Sequence, residues 1–318
     1  MRITERWSKS SAYDRAILGL SAAYVAMTAA YLVWRGNFVS PDQFFLLVLL
    51  ASVFLGKART FLWDWLPLVV LLFGYDYVRS LVPLINDHVY LKPMIDFDRF
   101  LFGSVPTNVL QSRFYNPESP HWYDYAAVIL YFLHFIVPLS AAFLLWLRDR
   151  ALFREYAAAI LILSYSAYLT YLAFPAAPPW LAAQSSLLPP VNRILSNTLL
   201  QFPDPISLPT LYSKLRVNPV AAVPSLHAAY PLLMTLFVRQ KAPKLVPVLA
   251  GYVLAVWMAI VYLGEHYVFD IVTGVMYAVA AYLLVAYWPA IKTGFRWGGP
   301  PGPRGRPTSR PFTRTTPP

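Results

Sequence analysis

The chain has 318 residues, of which 58% are hydrophobic and 13% are charged, and its net charge is +11. Soluble domains carry roughly 25% charged residues, so this composition excludes an ordinary soluble protein and predicts a membrane protein. Because the chain has no cysteine, disulfides, thiolate metal sites and cysteine nucleophiles are excluded as well.

Eight apolar segments are long enough to cross a bilayer, which takes about 20 residues per helix. They cover residues 14–34, 39–56, 63–85, 122–147, 153–174, 222–239, 243–263 and 266–289. The predicted fold is therefore an all-α, polytopic bundle of about eight transmembrane helices. We divide the chain into a membrane-embedded domain, residues 1–290, and a disordered basic cytoplasmic tail, residues 291–318, which is rich in Gly, Pro, Arg, Ser and Thr.

The basic residues predict the orientation of this bundle. Of the 26 Lys and Arg residues, 18 fall in the segments on one side of the predicted spans, and both terminal segments belong to that side. The positive-inside rule makes that side cytoplasmic, so we expect a multi-pass protein, of the cell membrane in a bacterium, with both termini in the cytoplasm. In a soluble protein the same charge would suggest nucleic acid. Here it is interpreted as a topology signal, and no nucleic-acid partner is expected.

Two long segments fall on the opposite side, residues 86–121 and 175–221. Nine prolines in the second segment exclude a regular helix and predict a stiff, irregular extracytoplasmic cap. Within the first, residues 96–112 have the pattern of short amphipathic helices at the membrane interface.

Polar residues close to the spans are the candidates for chemistry, because ionisable groups are costly there. His227 lies in the sequence Pro224-Ser225-Leu226-His227 at the start of the sixth span, and His266 and Asp270 lie at the start of the eighth. The alternating directions of the spans put both starts on the extracytoplasmic side. We therefore expect the three side chains to form one site on that face.

His266 and Asp270 are four residues apart and share one helix face, so the carboxylate can orient the imidazole and increase its basicity. This is how a nucleophile or base is held by an orienting group. Ser225 is the predicted N-cap of the sixth helix, and the free N–H groups at that helix start favour an anion such as phosphate. On the residues alone, a divalent-metal site and a proton-using transporter site remain alternatives. The other histidines are interpreted as structural: His88, His121 and His134.

The two motifs resemble those of the type 2 phosphatidic acid phosphatase superfamily, which read P-S-G-H and S-R-x(5)-H-x(3)-D. Pro224, Ser225 and His227 match the former, with leucine in place of glycine, and His266 and Asp270 match the latter. The superfamily's first motif, K-x(6)-R-P, is absent.

The remaining departures from the superfamily have a pattern. Ala259 and Ile260 stand where the third motif has Ser-Arg. Fungal inositol phosphorylceramide synthases lack the same pair and carry a P-S-L-H-A second motif after an F-P-x(3)-P-P-W segment. Residues 174–180, FPAAPPW, are similar to that segment and one residue shorter. The chain therefore looks like the inositolphosphotransferase branch of the superfamily.

The resemblance implies an enzyme that needs no metal and no other cofactor. His266 would be the nucleophile and form a phosphohistidine, Asp270 would orient it, and His227 would protonate the leaving alcohol and then deprotonate the acceptor. The expected substrate is a phospholipid or a polyprenyl-linked phosphate. An alcohol acceptor makes the protein a phosphotransferase, and water makes it a lipid phosphatase; a transporter is the third hypothesis. The oligomeric state is not specified.

Other cations have to replace the phosphate-binding residues that the motifs lack. Lys214 and Arg216, in the predicted cap just before the second motif, are the first candidates, since Arg can bind phosphate bidentately. Arg79, in the third predicted span, is the second, with a neutralising pair to Asp76 as the alternative. Trp180 is predicted to line the lipid entry, with a generic interfacial aromatic as its alternative.

Overall fold

A computed structural model describes Leu49, Ser52 and residues 56–199 and 218–294. The first predicted span and nearly all of the second lie outside these residues. So do Lys214, Arg216 and nearly all of the predicted tail. The count of eight spans and the cap as a whole therefore stay predictions.

The described residues form eleven α-helices and one short 3-10 helix, Pro243–Leu245. The α-helices are α1 (Ala58–Ser80), α2 (Val82–Ile85), α3 (Lys92–Phe102), α4 (Pro106–Phe114), α5 (Trp122–Arg148), α6 (Arg150–Ala173), α7 (Pro179–Ala183), α8 (Ile194–Leu199), α9 (Leu226–Val238), α10 (Val246–Tyr262) and α11 (Val268–Gly294). Extended backbone within these ranges is limited to isolated bridges. The all-α prediction is confirmed.

Five helical segments are long and apolar enough to cross a membrane, within the described part of the chain. They lie in α1, α5, α6, α10 and α11 and match the third, fourth, fifth, seventh and eighth predicted spans. The sixth prediction corresponds to α9, an apolar helix of only 13 residues. At 1.5 Å per residue it is about 20 Å long, shorter than the roughly 30 Å hydrocarbon core.

Helix α9 is the centre of the bundle, since it packs against α5, α6, α10 and α11. Its start lies very close to α11: a Cβ atom at Gly274 would come within 2.5 Å of the carbonyl oxygen of Ser225. Only glycine permits this approach. The contact places the start of α9 beside the first turns of α11, and we call this end of the bundle the motif end.

Three chain segments at the motif end are joined through Ala176, which is fully buried and forms backbone bridges with Tyr90 and Ala221. The ring of Phe174 stacks on that of Tyr90 at 4.1 Å. The FPAAPPW segment is thus a packed structural element. It connects the residues before α3 with the residues that lead into α9.

Candidate active site

The three residues of the motifs form one hydrogen-bonded chain. Nδ1 of His266 lies 3.1 Å from Oδ2 of Asp270, and Nε2 of His266 lies 3.1 Å from Nδ1 of His227. Asp270 has no exposed surface and His266 is 5% exposed, whereas His227 is partly exposed. The packing of α9 against α11 therefore brings together residues that are 39 positions apart.

The hydrogen-bond partners of Asp270 and the two histidines indicate which ring nitrogens carry a hydrogen. Oδ2 of Asp270 also accepts the backbone N–H of Tyr267 at 2.9 Å, so the carboxylate is an acceptor and Nδ1 of His266 is its donor. Nε2 of His266 then carries a lone pair, and the hydrogen between the two histidines belongs to Nδ1 of His227. An imidazole lone pair fixed by a carboxylate on its other nitrogen is an activated nucleophile.

Ser225 holds the start of α9 in two ways. Its Oγ accepts the N–H of Ala228 at 3.3 Å, as the sequence predicts for an N-cap, and its own N–H donates to the carbonyl oxygen of Asp270 at 3.0 Å. The N–H groups of Leu226 and His227 come too early in the helix to have an intrahelical acceptor. The helix start beside the histidines therefore retains donors suited to an anion.

Helix α5 adds a third histidine to the site. The ring of His134 lies 3.9 Å from the ring of His227. The ring of Tyr131, three residues before His134 on α5, lies 4.3 Å from the same His227 ring. Nδ1 of His134 is bonded to the carbonyl oxygen of Tyr131, which fixes the orientation of the ring. The sequence interpretation of His134 as structural did not foresee this contact, because no spacing in the chain links α5 with α9.

The loop of residues 263–267, which joins α10 to α11 and carries His266, is called the His266 turn. Gly264 has φ +79°, a left-handed conformation, and a Cβ there would lie 3.2 Å from both the Asn192 carbonyl oxygen and Nε2 of Gln111. Both features favour glycine. The turn is thus tightly enclosed by its neighbours.

Trp180 is one of these neighbours. Its backbone N–H donates to the carbonyl oxygen of Gly264 at 3.2 Å, and the guanidinium of Arg193 lies 4.1 Å from its ring. Nε of Arg193 in turn bonds to Oε1 of Glu265 at 3.0 Å. Trp180 therefore packs beside the His266 turn, while its predicted place at a lipid entry stays a prediction.

Asp98 of α3 is a site residue that the sequence reasoning missed. Its carboxylate is fully buried and accepts the N–H groups of Val268 and Phe269 at 3.1 and 3.0 Å. Burial raises the pKa of Asp98 to about 6, the nearby charge of Asp270 adds to the rise, and the two backbone hydrogen bonds oppose it. A carboxylate at the first turn of a helix gives no sequence signal when it comes from 170 residues away.

Arg79 is the predicted phosphate-binding cation that falls within the described ranges. Its Nη2 donates to Oδ1 of Asp76 at 2.7 Å, which is the alternative interpretation of this residue. Its Nε is buried without a hydrogen-bond partner among the described residues. The pairing with Asp76 is thus observed, and the binding of phosphate by Arg79 stays a prediction. As for a metal, no three His, Asp or Glu side chains converge as ligands in the described ranges.

The comparison with known proteins decides the family. The model of the PAP2 superfamily matches residues 93–284, which is more than half of the chain and includes His227, His266 and Asp270. This chain belongs to the PAP2 superfamily.

Two relatives narrow the branch of this PAP2 protein. It is 25% identical over 288 residues to the phosphoinositol dihydroceramide synthase of Bacteroides thetaiotaomicron, covering 88% of this chain and 93% of that protein. It is 24% identical over 219 residues to the inositol phosphorylceramide synthase catalytic subunit of Schizosaccharomyces pombe, covering 66% of this chain and 51% of that protein. No solved structure matches the PAP2 protein.

The branch that the motifs predicted is therefore confirmed. The family and both relatives support an integral, multi-pass membrane enzyme that acts on lipid substrates as a phosphotransferase. The side of the membrane that the site of this PAP2 protein faces and the location of its termini stay predictions.

Proposed function

We propose that this PAP2 protein transfers a phosphate-bearing head group, of the inositol phosphate type, from a lipid-linked donor to an alcohol acceptor. The relatives, named as a phosphoinositol dihydroceramide synthase and as the catalytic subunit of an inositol phosphorylceramide synthase, support the class of head group and acceptor. The observation that carries the mechanism is the hydrogen-bonded chain from Asp270 through His266 to His227.

The first half of the reaction makes a phosphohistidine. Nε2 of His266 attacks the phosphorus of the donor, a P–N bond forms, and the P–O bond to the lipid alcohol breaks. His227, which is protonated when the anionic phosphate is bound, gives a proton to the departing alkoxide and becomes neutral. Asp270 stabilises the positive charge that develops on His266 and keeps Nε2 aimed at the phosphorus.

The second half returns the enzyme to its starting state. His227, now neutral, takes the proton of the acceptor hydroxyl while that oxygen attacks the phosphorus. The new P–O bond forms, the P–N bond breaks, and His266 regains its lone pair. The first half forms a P–N bond and breaks a P–O bond, and the second half does the opposite. The same three side chains therefore serve both halves.

In this proposal, hydrogen-bond donors and cations around the two histidines bind the phosphate. The N–H groups of Leu226 and His227 at the start of α9 supply part of it. Arg79 supplies positive charge from α1, and Ser225 keeps the helix start in place. Lys214 and Arg216, which precede the second motif, are the further cations in this proposal. The site is proposed to open on the extracytoplasmic side, as the distribution of basic residues indicates.

The hydrogen bond between the histidines describes a resting state. A separation of 3.1 Å between Nε2 of His266 and Nδ1 of His227 leaves no room for a phosphoryl group. Substrate phosphate must therefore break this bond and move one ring aside. The resting bond keeps the Nε2 lone pair occupied by a donor until phosphate replaces that donor.

The test is a labelling experiment on purified protein in detergent. Wild type is mixed with phosphatidylinositol labelled with ³²P, with or without dihydroceramide, and both lipid product and protein-bound label are measured. Wild type should form labelled lipid and an acid-labile label on the protein. His266→Ala should form neither, while His88→Ala, which removes an exposed histidine, should behave as wild type.

Substantial turnover by well-folded His266→Ala would refute the mechanism. Release of water-soluble phosphate from the labelled lipid, without transfer to any alcohol, would instead assign the same site to a lipid phosphatase.

A further inference from the structure

Helix α4 bonds to the end of α10 that leads into the His266 turn. Oγ1 of Thr107 donates to the carbonyl oxygen of Val261 at 3.0 Å, and Nε2 of Gln111 donates to that of Tyr262 at 2.9 Å. The last carbonyl groups of a helix have no intrahelical donor. These two buried side chains therefore bond to the end of α10 from a helix about 150 residues earlier in the chain, and Thr107 shares the Val261 carbonyl oxygen with the N–H of Gly264.

Gln111 also links this end to the segment before α8. Its Nε2 donates to the carbonyl oxygen of Asn192 at 3.0 Å, and its Oε1 accepts the N–H of Asn192 at 2.9 Å. Both amide hydrogens and the amide oxygen are thus used, on a residue that is 6% exposed. Because all of its donors and its acceptor are bonded in a buried site, the Gln111 amide is held in one orientation.

Helix α3 bonds to the other end of the turn. Asp98 accepts the N–H groups of Val268 and Phe269, the first two residues of α11. A negative carboxylate is favourable at a helix start because of the helix dipole. Met94 and Ile95, on the buried face of α3, hold that helix in place.

We propose that Asp98 and Gln111 are positioning residues for the reaction: α3 and α4 fasten both ends of the His266 turn and so set the position of Nε2 of His266. This inference rests on the proposed function, since it assigns the purpose of a rigid turn to phosphoryl transfer. Neither residue contacts the reacting atoms. A misplacement of about 1 Å in a nucleophile can cost on the order of 100-fold in rate, whereas substrate binding, which depends on other groups, need not change.

The test compares each variant with a control on the same helix. Asp98→Asn is paired with Asp96→Asn, an exposed carboxylate of α3. Gln111→Ala is paired with Asn108→Ala, whose side chain bonds to the carbonyl oxygen of Pro189 and not to the turn. Activity is measured as kcat and KM for phosphatidylinositol, alongside the melting temperature in detergent and the folded fraction by size exclusion.

Asp98→Asn and Gln111→Ala should lower kcat by about 10- to 100-fold with KM changed by less than about twofold, as expected when an interaction acts only on the transition state. The controls should stay within about twofold of wild type in both constants. Gln111→Glu, which keeps the acceptor for the Asn192 N–H but loses both donors to the Tyr262 and Asn192 carbonyl oxygens, should not recover the kcat lost in Gln111→Ala.

Two results would overturn the proposal: kcat values equal to those of the controls, or a loss of activity that matches the loss of folded protein. His266→Ala, measured in parallel, reports on the proposed function separately. If His266→Ala retains turnover, the proposed function fails and the positioning of Nε2 fails with it; if His266→Ala loses turnover while Asp98→Asn and Gln111→Ala match their controls, only the positioning proposal fails.

Discussion

Replacing Gly274 by alanine would test whether the approach of α9 to α11 sets the geometry of the histidines. The added methyl group would lie 2.5 Å from the carbonyl oxygen of Ser225, where ordinary contact begins at 3.4 Å. The obstacle is backbone, so no side chain can rotate to make room. The two helices must move apart by about 0.9 Å.

This displacement acts on two hydrogen bonds at once. The bond from the Ser225 N–H to the Asp270 carbonyl oxygen, now 3.0 Å long, would exceed bonding distance, which costs about 1 kcal/mol. Overpacking typically costs 1–3 kcal/mol, an order-of-magnitude range. His227, two residues beyond Ser225, would move with α9 and leave the reach of His266. We therefore expect kcat to fall on the order of 100-fold, although Gly274 touches no reacting atom.

The matched control is Gly251→Ala in α10, where an added methyl group meets nothing within 4 Å. That change should leave activity unaltered and add up to about 1 kcal/mol of helix stability. Both variants would be assayed for transfer from labelled phosphatidylinositol and for melting temperature in the same detergent. If Gly274→Ala transferred the head group as fast as Gly251→Ala while folding normally, the claim that this contact aligns the histidines would be wrong.

Three further changes probe the site. Asp270→Asn keeps the shape of the side chain but removes the acceptor that fixes the His266 tautomer, so protein-bound label should form on the order of 10⁴-fold more slowly; a normal rate would exclude Asp270 as the orienting group. Asp98 has a pKa of about 6 against an ordinary 3.8, so its protonation stabilises the fold. The melting temperature of wild type relative to Asp98→Asn should thus fall as the pH rises from about 4 to about 6 and then level off, and parallel curves would contradict this. Ser225→Ala removes the N-cap of α9 and should cost about 1 kcal/mol of unfolding free energy, which an unchanged melting temperature would refute.

Hydropathy alone located most of the described helices. The predicted spans 122–147 and 243–263 agree with the apolar segments Trp122–Arg148 and Pro243–Tyr262 to within a residue at each end, because such runs end where charged or turn residues begin. The third prediction, 63–85, is shifted, since α1 begins at Ala58 and ends at Ser80, before the separate short helix α2. The Asp76–Arg79 pair explains how the end of α1 tolerates two charges.

The site was predictable only where its residues belong to motifs. His227, His266 and Asp270 meet as expected, because the alternation of helices puts both motif starts at one end of the bundle. His134 and Asp98 were missed because each reaches the site from a helix that has no spacing relationship with the motifs. Such contacts depend on which helix faces pack together, and one sequence does not encode that choice in any local pattern.

The two histidines are held very differently, and this difference decides which one yields to substrate. His266 is buried, bonded to Asp270, and carried by a turn that α3, α4 and Trp180 enclose. His227 is partly exposed, and among the described residues its imidazole forms one hydrogen bond, the one to His266. Turning the His227 ring breaks one hydrogen bond and its ring contacts with His134 and Tyr131, whereas moving the enclosed turn breaks several buried hydrogen bonds. Phosphate should therefore enter by displacing the His227 ring, which leaves the nucleophile His266 in place. The displaced His227 then lies on the far side of the bound phosphoryl group, where the leaving oxygen needs its proton.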